Sequence, residues 1–201
     1  MTLPGDAGGR TTREVGYFHT EAEHLARWLR DGLGAGWRVG KPGWHALEDA
    51  VAALPPRAPL SRYAILGLDG WAVLMNDGPN GTDVGVLPSW AARGLGIRAI
   101  RAVCVGDDGP GYPARILEVY GPGGQPPLAI ERSVASVNDG GRWIFEATGE
   151  PFDFENTDRH RASLAAERLT CAMIHEYLRA LGVPIDTEPE WVAGLLVERR
   201  S

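Results

Sequence analysis

The chain has 201 residues, of which 44% are hydrophobic and 23% are charged, as is usual for one globular domain. Its formal net charge of −6 argues against a general nucleic-acid-binding surface, which would be basic. No apolar run approaches the ~20 residues that span a bilayer, and residues 1–13 lack the apolar core of a secretory signal. These features predict a cytoplasmic protein with neither membrane nor nucleic-acid partners.

The N-terminal residues 1–16 are polar and rich in glycine, so we expect a flexible arm before a single domain over residues 17–201. Thr20 and Glu23 match the capping box, in which a hydroxyl and a carboxylate satisfy the first amides of a helix. The pattern therefore predicts a helix that starts after Thr20 and ends near Gly32.

A second, shorter helix is predicted over residues 44–54, where two prolines follow and stop it. Two apolar runs, residues 63–68 and 71–75, then flank Asp69 and Gly70. Asp-Gly between apolar runs favours a tight hairpin turn, because that turn needs positive φ. We expect these runs to be antiparallel strands at the centre of the fold.

Residues 88–95 are predicted to form a short helix with a proline in its first turn. Four later segments are rich in Val, Ile and aromatic residues and are bounded by Gly, Pro or Asp clusters. Their connections are too short for crossover helices, so these strands should be antiparallel. They are residues 97–105, 114–120, 128–137 and 142–146.

The C-terminal part carries an apolar stripe with helical spacing, formed by Leu164, Cys171, Ile174, Leu178 and Leu181. It predicts one long helix that begins at residues 156–158 and ends at Gly182, before a half-buried turn over residues 191–197. The elements together predict an α+β domain. Its single, twisted, mainly antiparallel sheet would have about six strands, with the N-terminal helices and the long C-terminal helix packed on one face.

No catalytic or cofactor-binding motif is recognisable. Cys104 and Cys171 lie in a predicted strand and a predicted helix, and we expect both to be buried, reduced thiols. His19 and His24 are five residues apart, the wrong spacing for a helical metal pair. Phosphate-binding and nucleophile-elbow glycine motifs are missing as well. The sequence predicts no cofactor and no metal, and it identifies no catalytic residue.

A polar loop, residues 76–83, follows the predicted hairpin and is the best local candidate for a site. Asn76, Asp77, Asn80 and Asp83 are its candidate binding residues. Their oxygens could hold a cation or a polar ligand, with Asp83 as ligand or as acid/base. Asn, Asp, Gly and Pro also form turns by self-capping, so a purely structural loop is the alternative.

The Asn-Asp-Gly triplet of this loop recurs at residues 138–140, again after a predicted strand. Asp139 is therefore a further candidate binding residue. If both loops lie at one end of the sheet, they would line a common polar rim. Chance recurrence of a favoured turn is the other interpretation.

Charged residues also occur inside the predicted strands. Cross-strand ion pairs on a solvated sheet face would explain them, each contributing under ~1 kcal/mol. A charged sheet face that binds a partner is the alternative, with Arg98, Arg101 and Arg132 as its candidate contacts, because arginine is favoured in bidentate and interface contacts. The charged residues inside the predicted strands are Arg98, Arg101, Arg115, Glu118, Glu131, Arg132, Arg142 and Glu146.

Several segments resemble uncharacterised bacterial cytoplasmic proteins: GTDVGVLPSW at 81–90, RWIFE at 142–146, GEPF at 149–152, and the Phe154-Glu155 pair. The predicted order of helices, strand meander and terminal helix is similar in outline to small α+β immunity proteins that neutralise toxins. This resemblance implies a toxin or a regulatory protein as the partner, and it rests on the fold outline without a diagnostic motif.

These observations favour a non-enzymatic protein-binding domain of the immunity or defence type, which neutralises or regulates its partner. The alternative is a small-molecule or metal-dependent enzyme or binder that uses the loop at residues 76–83. A homodimer formed through an open sheet edge is a third interpretation.

Overall fold

The computed structural model describes residues 12–44, 46–106, 112–185 and 192–199. Nine strands form one antiparallel sheet in the order β2-β10-β3-β4-β1-β6-β7-β8-β9, and the short β5 pairs in parallel with β1. The strands are β1 Thr12–Phe18, β2 Trp37–Gly40, β3 Arg62–Leu68, β4 Trp71–Asn76, β5 Gly81–Thr82, β6 Ala99–Val105, β7 Ala114–Gln125, β8 Ile130–Asn138, β9 Trp143–Thr148 and β10 Val192–Arg199.

In the described part of the chain, four short helices pack on the two faces of this sheet: α1 Ala22–Leu33, α2 Leu47–Ala52, α3 Leu87–Leu95 and α4 Cys171–Ala180. The apolar residues of α1 and α3 join one core cluster, and those of α2 and α4 join the other. We call these two sides of the sheet the α1 face and the α4 face. None of the described helices has both the length and the apolar character of a membrane span.

The central hairpin shows why both faces need cover. Successive side chains of a strand point to opposite faces. In β3, Tyr63 and Ile65 enter the core of the α1 face, while Ala64 and Leu66 enter that of the α4 face. Because both sets are buried, the strand is a continuous apolar run rather than an alternating one.

The predicted hairpin is confirmed. β3 and β4 pair antiparallel in the middle of the sheet order, and Asp69 and Gly70 form the turn with φ values of 35° and 78°. The later strands are also confirmed as an antiparallel meander from β6 to β9.

The predicted fold class is wrong in three respects. The main sheet has nine strands rather than about six, and the helices cover both faces rather than one. The C-terminal helix α4 is short, because Thr170 caps it by accepting a hydrogen bond from Met173 N at 3.2 Å. Residues before this cap form two 3₁₀ turns, Arg159–Arg161 and Ala165–Glu167.

Tertiary contacts hold this pre-helical segment out of the helix. The Ser136 hydroxyl, on β8, donates to the Ala165 carbonyl at 2.6 Å, and the second 3₁₀ turn packs on β9. The Leu164 side chain, a member of the predicted stripe, is 59% exposed. Sheet contacts therefore override the helical pattern upstream of Thr170.

Both chain ends contribute strands that the sequence analysis missed. Residues 12–16, expected in the flexible arm, belong to β1, which lies between β4 and β6; residues 1–11 lie outside the described part. Residues 192–197, expected as a half-buried turn, belong to β10 between β2 and β3, and Trp191 lies outside the described part. Long-range pairing decides both elements.

The two N-terminal helices are present with different starts. Glu21, not Thr20, is the N-cap of α1, and it makes no side-chain cap; the Thr20 hydroxyl lies 3.1 Å from His24 Nδ1 instead. The second helix covers only residues 47–52 of the predicted 44–54. The predicted capping box is therefore wrong, although the helix that it predicted is present.

The prediction of reduced thiols is also wrong. Cys104 and Cys171 form a disulfide that joins β6 to the start of α4, with their Cα atoms 5.7 Å apart. Disulfides persist mainly in oxidising compartments. The cysteines therefore no longer support a cytoplasmic location.

Candidate functional site

Asn76 organises the polar loop from inside. Its side-chain oxygen accepts hydrogen bonds from Gly78 N at 3.1 Å and Asp83 N at 3.0 Å, and its amide nitrogen donates to the Asp83 carbonyl. The residue is buried. Its polar atoms close the loop and do not face a ligand.

Asp77 has an equally structural role. Its carboxylate accepts hydrogen bonds from Ser61 N and Arg62 N at 2.9 Å each and from the Ser61 hydroxyl at 2.8 Å. Asp77 is buried. Burial of Tyr63 raises the pKa of its phenol, and the nearby charge of Asp77 adds to this effect, so that the pKa is about 12. Asp77 therefore fixes the start of β3 against the end of β4.

The other two candidates of the loop, Asn80 and Asp83, are exposed. Thr82 anchors the loop, because its hydroxyl donates to the Glu14 carbonyl at 2.8 Å. Among the described residues no group of three His, Cys, Asp or Glu side chains could hold a metal ion. The loop thus offers two exposed oxygen-bearing side chains on a self-capped turn.

The second Asn-Asp-Gly triplet is a turn of the same kind. Asn138 accepts from Gly140 N at 2.8 Å, and Asp139 accepts from Arg142 N at 2.9 Å and Gly141 N at 3.1 Å. These backbone hydrogen bonds lower the pKa of the exposed Asp139. The turn is held by its own side chains.

The two triplets lie at the same end of the sheet, since β4 and β8 run in the same direction. Three strands separate β4 from β8. At about 4.8 Å per strand, the loops are roughly 19 Å apart. They lie at the same end of the sheet, but they are too far apart to form one binding rim.

Arg132, predicted as a contact, lies inside the protein. Its guanidinium makes a two-pronged ion pair with Glu155, with a shortest distance of 2.7 Å, and the two side chains are 3% and 1% exposed. It also donates to the Gly149 carbonyl at 2.7 Å. Arg132 therefore joins β8 to the segment after β9 and cannot contact a partner.

Arg101 lies at the centre of a half-buried network on the α1 face. It contacts both oxygens of Glu14 at 2.7 Å and one oxygen of Glu118 at 2.9 Å. Tyr120 donates to Glu118 at 2.8 Å, and Gly85 N donates to Glu14 at 2.8 Å. Glu14 thereby links Arg101 to the segment that directly follows the polar loop.

The electrostatics of this network favour a charged Arg101 and a neutral Tyr120, because the pKa of each is raised. Burial lowers the pKa of Arg101, but the hydrogen bonds and charges of Glu14 and Glu118 outweigh it and raise the net pKa. Burial, and then the charge of Glu118, raises the pKa of Tyr120. The network holds one cation between two carboxylates, with a neutral phenol donating to one of them.

The row that contains Arg101 continues across the sheet toward β9, through Glu118, Ser133 and Thr148 in register. On β7 to β9 the side chains of the α1 face beyond the buried Tyr120, toward the polar loop's end of the sheet, are half-buried or exposed. We call this area the open sheet surface. It consists of Ile116, Glu118, Ser133, Ala135, Val137, Ile144, Glu146 and Thr148.

Arg98, the remaining candidate, lies at the opposite end of the sheet from the polar loop. It pairs with Glu131 at 3.2 Å beside a cavity of about 330 Å³ that His19, Trp71 and Leu181 also line. The sequence analysis set His19 aside because its spacing from His24 does not fit a helical metal pair, and it did not predict the strand that ends just before it. A strand assigned to residues 12–18 would have placed His19 at a sheet end with Arg98.

The candidate residues are thus divided among five places: the self-capped polar loop, the Asp139 turn, the buried Arg132 pair, the Arg101 network, and the cavity beside Arg98 at the far end of the sheet. No protein-family model matches the chain, and comparisons with curated proteins and with solved structures find no match either.

Proposed function

We propose that the chain is a non-enzymatic protein-binding domain whose contact area is the open sheet surface together with the free edge of β9. One observation carries this proposal. In the sheet formed by the described residues, β9 pairs with β8 alone, and the neighbouring side chains on the α1 face remain half-buried or exposed. A protein partner could bury both features at once.

The chemistry of the surface supports this proposal. Ile116, Ala135, Val137 and Ile144 supply an apolar centre, and polar residues surround it. Protein interfaces typically combine an apolar core with a polar rim. The surface therefore has the composition of a contact area of moderate size.

Charge indicates the kind of partner. Glu118 and Glu146 lie on the surface, and Arg101 at its border already binds the carboxylates of Glu14 and Glu118. The chain as a whole carries a formal net charge of −6. A partner with a basic surface would be attracted to this acidic area and would associate faster.

The edge of β9 adds a second mode of contact. An unpaired edge strand presents backbone N–H and C=O groups that an extended segment can pair with. An immunity- or defence-type role is one form of the proposal, in which the domain covers the working surface of a basic toxin or regulates another partner. Self-association through the same edge would make the partner a second copy of the chain.

The experiment compares the wild type with Glu146→Arg and with Glu176→Arg, each purified under native conditions from the organism that encodes it. Glu146 lies on the open sheet surface, whereas Glu176 is exposed on α4, on the other side of the sheet. We expect a stoichiometric protein partner that is lost with Glu146→Arg and retained with Glu176→Arg. Native mass spectrometry separates a foreign partner from a second copy.

A photo-crosslinker at Thr148 should label that partner, and one at Glu176 should not. Thr148 and Glu176 are both exposed, so the comparison is matched for accessibility. A chain recovered alone, or a partner that both substitutions leave in place, would contradict the proposal. Equal labelling from the two positions would move the interface away from the open sheet surface.

A further inference from the structure

The cavity beside Arg98 is separate from the open sheet surface. Its lining comes from the residue after β1, the first residue of β4, the residue before β6, the C-terminal part of β7, the start of β8 and the turn after α4. Antiparallel pairing brings these strand termini together at one end of the sheet. The lining includes His19, Trp71, Arg98, Glu131, Leu181 and Gly182.

Arg98 and Glu131 provide the charged side of the cavity. They are 3.2 Å apart, and their side chains are 41% and 16% exposed. The guanidinium has five N–H donors, and one hydrogen bond joins it to Glu131. Within the described part of the chain Arg98 makes no other side-chain hydrogen bond, so its remaining donors can meet an incoming anion. Glu131 restrains the orientation of the guanidinium.

His19 and Trp71 provide the aromatic side. Their ring centroids are 4.8 Å apart with an interplanar angle of 32°. Trp71 and Leu181 are largely buried in the core of the α4 face, so the aromatic and aliphatic walls are held rigidly. His19 is exposed and can donate a hydrogen bond to an anion beside Arg98.

We propose that this cavity binds a small aromatic carboxylate, with its anion on Arg98 and His19 and its ring against Trp71 and Leu181. A volume of about 330 Å³ lies at the lower end of the range for small-molecule sites. Arginine pairs with carboxylates in a planar, two-pronged geometry. Because Glu131 offsets part of the charge of the half-exposed Arg98, a monoanion fits the cavity better than a doubly charged phosphate.

The test uses three probes of similar shape: phenylacetate, the neutral phenylacetamide, and phenyl phosphate. Binding is measured by saturation-transfer NMR and by tryptophan fluorescence of the whole chain. We expect phenylacetate to bind with a Kd on the order of 1 mM, as for a ligand of this size. The amide and the phosphate should each bind about tenfold more weakly, since they lack the matched charge.

Two substitutions locate the site, and a third is the control. Arg98→Gln and His19→Ala should each weaken phenylacetate binding, the first by about tenfold. Arg27→Gln should leave it unchanged, because Arg27 is exposed on α1 beside a different cavity. Circular dichroism checks that each variant is folded. If Arg98→Gln does not fold, His19→Ala still tests the site.

Four outcomes would overturn the inference. Phenylacetate could fail to bind the wild type, or it could bind no more tightly than phenylacetamide does. The Arg98→Gln and Arg27→Gln variants could also lose the same affinity. Phenyl phosphate binding as tightly as phenylacetate would overturn the assignment of a carboxylate.

Discussion

The guanidinium of Arg132 and the carboxylate of Glu155 form an ion pair at 2.7 Å from which solvent is almost completely excluded. The pair joins β8 to the irregular segment that follows β9. Charges buried in this way are tolerated because each satisfies the other. An arginine that the sequence analysis proposed as a contact for a partner is therefore part of the core.

Removing one member of this pair should be costly. Arg132→Met leaves the Glu155 carboxylate buried without its partner, so we expect a loss of about 3–5 kcal/mol in the free energy of unfolding. Adding Glu155→Leu should recover part of that loss, a coupling that urea denaturation of the three variants measures. Arg30→Met is the control, because the exposed Arg30–Asp31 pair should contribute under about 1 kcal/mol. Equal losses from Arg132→Met and Arg30→Met would contradict this prediction.

The polar loop should depend on Asn76 and tolerate changes at Asp83. Asn76→Ala removes the hydrogen bonds that satisfy Gly78 N and Asp83 N, and it should destabilise the fold by about 2–3 kcal/mol. Asp83→Ala keeps the backbone contacts and removes an exposed side chain, so its effect should stay within about 0.5 kcal/mol. Thermal denaturation of the two variants compares them directly. A strong stabilisation by Ca²⁺ or Mg²⁺ that disappears with Asp83→Ala would instead favour a cation site.

The disulfide should stabilise the native state. It closes a loop of 67 residues between Cys104 and Cys171, for which chain entropy predicts a contribution of up to about 4 kcal/mol. Reduction with dithiothreitol should lower the Tm of the wild type. The Cys104→Ala, Cys171→Ala double variant should melt at a lower temperature that no longer depends on the reductant. Two titratable thiols in unreduced, denatured protein would show that the bond does not form.

Stability should decrease in mild acid because of His160. Burial lowers the pKa of His160 below its ordinary value of 6.5, and its ring lies 5.1 Å from that of Phe145. The unfolded chain therefore binds a proton at a higher pH than the native state does, and stability falls as the pH drops below about 6.5. The contribution is fully present above that pH. Unfolding by urea between pH 5 and pH 8 measures the slope.

The matched variants are His160→Phe and His24→Gln. The first should flatten the pH dependence, since a ring without a titratable group remains against Phe145. His24 is exposed on α1, so His24→Gln should leave the slope as it is in the wild type. A slope that survives in His160→Phe would assign the pH dependence to another group.

Local sequence patterns determined a substantial part of the fold. The Asp69-Gly70 turn is local, because the sign of φ at two residues selects it, and the hairpin β3–β4 follows from it. The meander from β6 to β9 is similarly local, since short connections leave antiparallel pairing as the simple solution. The boundaries of α3 also follow from its first-turn proline and from Gly96 at its end.

The candidate site could be predicted only as a set of residues. The sequence placed Arg98, Arg101 and Arg132 in strands but could not tell their environments apart. One arginine faces a cavity, one lies between two carboxylates, and one is buried against Glu155. Which carboxylate meets which arginine depends on strand register and on a bulge in β8, and these arise from contacts distant along the chain.

By itself, the sequence determined the hairpin turn, the meander and the boundaries of α3, because each depends on residues near one another. It also determined the acidic net charge, which is a sum over the composition. Only the tertiary structure decided that β1 and β10 are interior strands of the sheet, that Cys104 meets Cys171, and that the terminal helix starts at Cys171. The physical reason is the same in each case. Pairing with distant strands satisfies backbone groups and buries apolar surface, and these gains outweigh local preference.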